Sequence, residues 1–271
     1  METLKLLNIG CGKRYHKDWV NIDIVKTGPD VMTVDVRNDL PFDDNSFSAL
    51  YNSHVLEHLS PENADKFIKE CRRILSPGGV LRIVVPDLEQ ITKEYLDALE
   101  AAEIKPTEQN EKNYEWMMLE LYDQVVRTKS GGLMAEYLHG NFSNESFVHR
   151  RVGEEARSIK NHFTGNGKVR MAKMFTRNIL SLSAWRRLLL KFILRKEFKN
   201  YEECVFRGSG EIHRWMYDRH SLRKILEKAG FKHFHIVSAF KSSIPKWETY
   251  ALDGKGGVTF KPDSLFAEVQ K

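Results

Sequence analysis

Two glycines and a carboxylate carry the first chemical signal in this chain. Residues 6–9 form an apolar run that stops at Gly10-Cys11-Gly12, and a second run stops at Asn21-Ile22-Asp23. A buried strand that ends in Gly-x-Gly lets backbone N–H groups approach a ligand where a Cβ would block it. A carboxylate at the tip of the next strand can accept both hydroxyls of a ribose. Together they describe a nucleoside-binding crevice at the carboxyl ends of parallel strands. A glycine pair alone signals only a tight turn, so the residues that follow decide the reading.

The elements that must position these groups are legible. Residues 31–34 are a third apolar run, ending at Asp35, and residues 49–53 read as a fourth strand. The spacing predicts a helix over 61–75, with Ser60 as its N-cap and Pro61 in its first position. Ser76-Pro77-Gly78-Gly79 should break that helix before a fifth strand over 80–86. Strands alternating with helices over 1–88 imply an α/β, doubly wound sheet. Residues 89–210 do not fit it and read as a mainly helical insertion, with helices over 113–127, 133–139 and 181–199 and a turn at Gly165 to Gly167. On the first of these, Tyr114, Met117, Met118, Leu121, Tyr122 and Val125 stand at helical spacing as a core stripe. The sheet resumes over 211–271 with a helix at 221–229 and strands at 232–239 and 264–269.

With these motifs in order, the chain resembles class I S-adenosylmethionine-dependent methyltransferases of the small-molecule type. The resemblance rests on Asn8-Ile9-Gly10-Cys11-Gly12, Asp23, Asp35 with Leu40-Pro41-Phe42, residues 54–59, and Leu75-Ser76-Pro77-Gly78-Gly79. It covers 4–88 and returns over 211–271, where Lys228-Ala229-Gly230-Phe231 resembles the end of the usual last helix before strand six. Within the class it is similar to a branch linked to cell-surface polysaccharide synthesis. The resemblance implies a Rossmann-like seven-stranded sheet, S-adenosylmethionine as cofactor, and a cofactor domain made of 1–88 and 211–271. Residues 89–210, inserted after strand five, would form a cap over the acceptor. Two departures stand out. Asn8 occupies a position where the family carries an acid, and only residues 13–20 separate Gly12 from the second strand. A parallel crossover normally needs a dozen or more residues. The first helix should therefore be one turn or absent, with Tyr15, His16 or Trp19 covering the gap.

The resemblance also assigns sites. Asn8, Gly10, Cys11 and Gly12 would face the methionine part of the cofactor, Asp23 its ribose, and Asp35 and Val36 its adenine. Ser53 and His54 would face the amino acid end or the reacting methyl. His54 and His58 stand four apart, but Glu57 should point elsewhere and no third ligand is evident, so no metal is expected. Asp87 reads equally as a base and as the N-cap of a helix over 88–100. His213 is the preferred base, in a segment where Arg214 suits a phosphate and Trp215 and Tyr217 suit a sugar. His58 completes the acceptor set.

Composition narrows the setting. Three cysteines without metal-ligand spacing, no apolar run near ~20 residues and an N-terminus that leads straight into a strand point to a reducing, cytoplasmic location. Net charge is +5, but residues 149–207 carry fifteen Lys/Arg against five Glu, or +10. A basic segment on an otherwise acidic chain suggests an anionic partner. The leading reading is O-methylation of a saccharide or related polar acceptor, lipid- or nucleotide-linked, with peripheral membrane contact through 181–199. Methylation of RNA or protein is the alternative, although no Asn/Asp-Pro-Pro-Tyr/Phe tetrad follows the fourth strand. A non-catalytic cofactor-binding scaffold is the third.

Overall fold

A computed structural model of the chain describes residues 4–140, 142–153 and 182–271. The turn expected at Gly165 to Gly167 and the first residue of the helix expected over 181–199 lie outside them. The strands are β1 (Leu6–Ile9), β2 (Val20–Asp23), β3 (Val31–Thr33), β4 (Phe47–Ser53), β5 (Leu75–Pro86), β6 (Lys232–Ile236), β7 (Gly254–Lys255), β8 (Val258–Thr259) and β9 (Ser264–Gln270). Seven of them form one sheet in the order β3-β2-β1-β4-β5-β9-β6, while β7 and β8 make a separate hairpin. Pairing is parallel from β3 to β5, and β9 runs antiparallel between β5 and β6. This is the doubly wound, Rossmann-like sheet predicted from the sequence.

The chain divides into two compact units. One takes in the chain up to Leu96 together with His213–Lys271, and the other is Asp97–Ile212.

In the sheet unit, strand alternation sorts the core into two faces. Leu7, Ile9, Leu50, Leu81, Ile83 and Ala267 lie on the first. They are covered by α1 (Pro61–Ile74) through Phe67, Ile68 and Cys71. Helix α1 begins as expected: Pro61 takes its first turn and Ser60 Oγ accepts the Asn63 N–H. Its break differs. Phe47 pairs with Leu75 and Ala49 with Val80, so Ser76 to Gly79 loop out inside β5 instead of preceding it.

The second face carries Leu6, Ala49, Tyr51, Val84 and Phe266. No helix joins β1 to β2. Residues 10–19 cross directly, and Asn8 holds them by donating to Arg14 O and Asn21 Oδ1, while Asn21 donates to His16 O and Trp19 O. In place of a helix, Trp19 packs edge-on against Tyr51, and against Trp247 and Tyr250, which belong to a short helix (Trp247–Tyr250) the sequence did not suggest.

That cover is locked by buried charge. Arg82 of β5 is fully buried, with Nη1 2.9 Å from Glu268 and Nη2 2.7 Å from Asp253. It also donates to the carbonyls of Ser238 and Lys241 and lies under the Trp247 ring. Tyr51 donates to Asp253 at 2.5 Å.

The second unit is helical: α2 (Leu88–Ile104), which begins in the sheet unit, then α3 (Glu108–Val126), α4 (Gly132–His139), α5 (Glu145–Val152), α6 (Leu182–Leu194) and α7 (Phe198–Arg207). The core stripe expected on α3 is corrected. Trp116, Met117, Glu120 and Asp123 are the buried residues, while Tyr122 is exposed. Buried Arg151 neutralises Glu120, and Asp123 accepts the Leu133 N–H at the start of α4, so polar groups take the inner face. The helix expected over 181–199 is broken, because Arg195 adopts φ +47° and a single 3-10 turn separates α6 from α7. Helix α8 (Arg219–Lys228) returns to the sheet unit and starts with a capping box between Asp218 and Ser221. Among the described residues no helix is long and apolar enough to cross a membrane.

The buried network predicts the cost of breaking it. Asp253→Ala strands part of a buried guanidinium and should lower the unfolding free energy by about 3–5 kcal/mol in denaturant titration. A loss below about 1 kcal/mol would mean that aromatic packing alone holds the cover.

Candidate cofactor and acceptor site

The glycine turn is built as its residues require. Gly10 (φ +67°) and Gly12 (φ +53°) both sit in the left-handed region, where a Cβ is costly. The N–H groups of Gly10 and Cys11 both bond to Ile22 O, which ties the turn to the end of β2. A Cβ on Gly10 would fall 2.2 Å from Val55 Cγ2, whereas one on Gly12 would meet nothing within 4 Å. Asp23 closes the turn from the other strand. Its Oδ2 accepts the Gly12 N–H at 2.8 Å and its Oδ1 the Val25 N–H at 2.9 Å. A carboxylate has about four acceptor sites, so lone pairs remain on both oxygens.

A cavity of about 420 Å³ opens beside this turn, within the ~300–1,000 Å³ typical of small-molecule sites. Of the expected residues, Asn8, Gly10, Cys11, Gly12, Ser53, His54 and His58 line it. Cys11 is a packing residue: burial, then the Asp23 charge, push its thiol up to about 11. Tyr15, His16 and Trp19 do not line the cavity. Its far wall is Leu252, Asp253, Phe260 and Lys261, and Lys13, Arg14 and Lys261 make it cationic. Arg14 stacks on Phe260, 3.7 Å from the ring centroid. The signal for this wall was the pair Gly256-Gly257, whose φ values of +58° and +80° make the tight turn of the β7–β8 hairpin.

Several expected residues stand elsewhere. The Asp35 carboxylate forks onto Arg37, at 2.9 Å to Nε and 2.6 Å to Nη2, and these bonds hold it below the usual carboxylate range. Val36 packs half-buried against the first core. Asp87 Oδ1 accepts the Glu89 and Gln90 N–H groups, so it caps α2, and burial raises its carboxyl pKa. Tyr217 is a core residue rather than a sugar platform. It forms an isolated bridge with Asp87, and burial followed by the Glu57 charge pushes its phenol up to about 12. Arg214 is exposed and Trp215 is 50% exposed.

His213 also needs correction. It is only 3% exposed and is not among the lining residues; its ring stacks edge-on against His58, centroids 4.8 Å apart, and His58 is the one that reaches the cavity. Glu57, expected to point elsewhere, turns inward. The segment is a 3-10 turn over Leu56–His58 rather than an α-helix, so helical face logic does not apply. His54 leaves β4 at φ +56°, a strained value for a non-glycine residue. Its Nδ1 stands 3.0 Å from Glu57 Oε1 and its Nε2 3.0 Å from Ser264 Oγ. The Glu57 carbonyl accepts the N–H groups of Arg214 and Trp215, which fastens the two sequence-distant segments together. Burial would raise the Glu57 carboxyl, but His54 beside it, then the charges of His58 and His213, outweigh it and hold it down at about 2.

Residues 11–83 match a family model described as a methyltransferase domain. Residues 11–83 thus carry the sequence signature of a methyltransferase domain. A 69-residue stretch is 41% identical to the mouse protein described as probable tRNA methyltransferase 9B; it covers 25% of this chain and 15% of that protein. The chain thus spans a small part of the curated relative it matches. A solved SAM-dependent methyltransferase from Archaeoglobus fulgidus aligns over 100% of this chain and 87% of its own, at 13% identity and a TM-score of 0.41. A Thermotoga maritima structure described as a SAM-dependent methyltransferase, possible histamine N-methyltransferase, aligns over 98% and 82%, at 15% identity and a TM-score of 0.39.

The methyltransferase domain fits its cofactor at the turn, where the space beside Gly12 lies open to the cavity and Asp23 keeps acceptor sites. Alanine scanning of the two glycines should separate folding from binding. Gly12→Ala should cost about 1–2 kcal/mol of stability for its left-handed backbone and lower S-adenosylhomocysteine affinity at least about tenfold by calorimetry. Gly10→Ala should lose considerably more stability, because Val55 must move. Parent-like affinity in Gly12→Ala would place the crevice elsewhere.

Proposed function

We propose that the whole protein transfers a methyl group from S-adenosylmethionine to an oxygen of a polar acceptor, a saccharide carrying a phosphate in its lipid or nucleotide link. The observation that carries this reading is the Gly10–Gly12 turn, closed by Asp23 and opening on a cavity that His58 reaches from the acceptor side. When bound, the cofactor supplies an activated methyl on a good leaving group. Gly10 and Gly12 leave room for it, Asp23 offers its free acceptor sites to ribose hydroxyls, and Ser53 and His54 border its amino acid end. Lys13, Arg14 and Lys261 give the cavity the charge to hold an anionic acceptor group.

An alcohol is far from ionised at neutral pH, so its proton needs a destination. His58 is the member of the Glu57–His58–His213 cluster placed to take it, in the role expected of His213. Glu57 and His213 then orient and charge-balance His58. Alignment of the hydroxyl and exclusion of water complete the task. The helical unit, residues 89–210 in the sequence division, is proposed as the source of acceptor contacts.

An exposed stripe on α6 supports a membrane-borne acceptor. Trp185 is 65% and Phe192 77% exposed, and Leu188, Leu189 and Ile193 are exposed with them. Arg186, Lys191, Arg195 and Lys196 add positive charge, and an apolar stripe edged by cations fits an interfacial helix. The relative named as a tRNA methyltransferase favours RNA as the second acceptor class.

Three measurements test this reading. Asp23→Ala should weaken cofactor binding by roughly 1–3 kcal/mol through lost charge-assisted bonds, and unchanged affinity would sink the ribose assignment. Labelled cofactor offered to saccharide and RNA extracts should mark the saccharide fraction, with turnover reduced about 10²–10⁴-fold in His58→Ala. Label appearing only in RNA would replace the acceptor. The protein should co-sediment with anionic vesicles at low salt and lose binding when Trp185 and Phe192 become Ser; failure to sediment at any salt removes the membrane reading.

A further inference from the structure

We infer that Glu57, His58 and His213 form a binding site for a divalent transition-metal ion of the zinc class, at the inner wall of the cavity. One ligand atom from each lies within 4.8 Å of the other two. Two imidazoles and one carboxylate are a donor set suited to such ions, and three protein ligands leave coordination positions open. His58 lines the cavity, so the open positions have access to a small molecule.

The state of Glu57 points the same way. Its side chain is completely buried, and neither carboxylate oxygen accepts a well-formed hydrogen bond. Its 3.0 Å approach to His54 is an ion-pair distance without hydrogen-bond alignment. Buried carboxylates are normally satisfied by several donors, and one that is not calls for a charge partner. A divalent cation between Glu57 and the two imidazoles provides it, with His54 as the outer group that steadies the carboxylate. The geometry needs a modest closure, since metal–nitrogen and metal–oxygen bonds run ~2.0–2.2 Å. His58, half-buried and at the cavity edge, is the ligand that would make it. Main-chain bonds from Arg214 and Trp215 to the Glu57 carbonyl already hold the other two ligands in register. Binding of the ion does not rest on the methyl-transfer reading, and it is an alternative to the base role of His58, whose imidazole cannot both ligate the ion and take the acceptor proton.

The test uses the full-length protein, stripped with chelator and titrated with Co²⁺ and Zn²⁺. One ion per chain should bind, Co²⁺ should show visible d–d absorption, and Zn²⁺ should displace it. His58→Ala should lower affinity at least tenfold. Glu57→Gln should do the same, and if that variant does not fold, His213→Gln is the replacement. Parent protein without a Co²⁺ spectrum or calorimetric heat would overturn the site. So would affinity unchanged in His58→Ala, which would assign the ion to surface histidines such as His233 and His235. S-adenosylhomocysteine binding measured on the same stripped samples reports the cofactor crevice separately, so a failed metal titration leaves that reading standing.

Discussion

β1 and β2 lie side by side and parallel, yet only residues 10–19 join them. Parallel neighbours normally need a crossover of a dozen or more residues, usually a helix that then covers one face of the sheet. Here no helix can form, and the chain has to cover that face by other means. Trp19 closes the short connection, and aromatic residues from the far end of the sequence complete the layer. The Asn8–Asn21 bond and its carbonyl partners replace the hydrogen bonds that a helix would have satisfied internally. Asn8 thereby has a structural use at the position where a carboxylate would have left a buried negative charge.

A cover made of loop has to be fastened, and the fastening is ionic. Arg82 faces two buried carboxylates that behave differently. Burial raises the Asp253 carboxyl and dominates over the pull of Arg82 and the Tyr51 hydroxyl. Burial opposes ionisation of Glu268 too, but bonds from Ser242, the Ser243 N–H and Arg82 outweigh it. The guanidinium thus meets two buried carboxyls whose desolvation is offset to different degrees. Such clusters tend to fix geometry more than they add net stability. That suits a segment whose continuation, from Leu252 to Lys261, is also the far wall of the cavity.

This division explains what was readable in the sequence. The strand order, the cap at Ser60-Pro61 and the Gly10–Asp23 crevice follow from local rules: apolar period, N-cap chemistry, and glycine at positive φ. Residues 239–252 were opaque because their aromatic residues have no strand or helix period; they fold against a face whose vacancy only the three-dimensional crossover reveals. Tyr217 and Asp87 looked chemical because each type can be. Backbone pairing between them, and the need of α2 for a cap, decided otherwise. Glu57 was missed because helical spacing was assumed where the chain makes a 3-10 turn, which aims the carboxylate inward. The Gly256-Gly257 hairpin was a local signal that could have been used.

The strand order also says why the groups meet where they do. Reading β3-β2-β1-β4-β5, the direction of growth reverses between β1 and β4, and ligands in such sheets bind where the connections leaving two adjacent strands diverge. The Gly10 turn leaves β1 toward β2, while the His54 segment leaves β4 toward α1. Between them the edge of the sheet is open, and the cavity occupies that gap. His54 is forced into a left-handed conformation because the chain must turn there at once. Its main-chain N–H bonds to Val84 O and its ring reaches both Glu57 and Ser264, so three elements pin it. Strain of this kind survives only where its surroundings over-determine it. The consequence is that His58, four residues beyond His54, is delivered to the cavity wall with buried Glu57 behind it, by the same bend that opens the cofactor crevice.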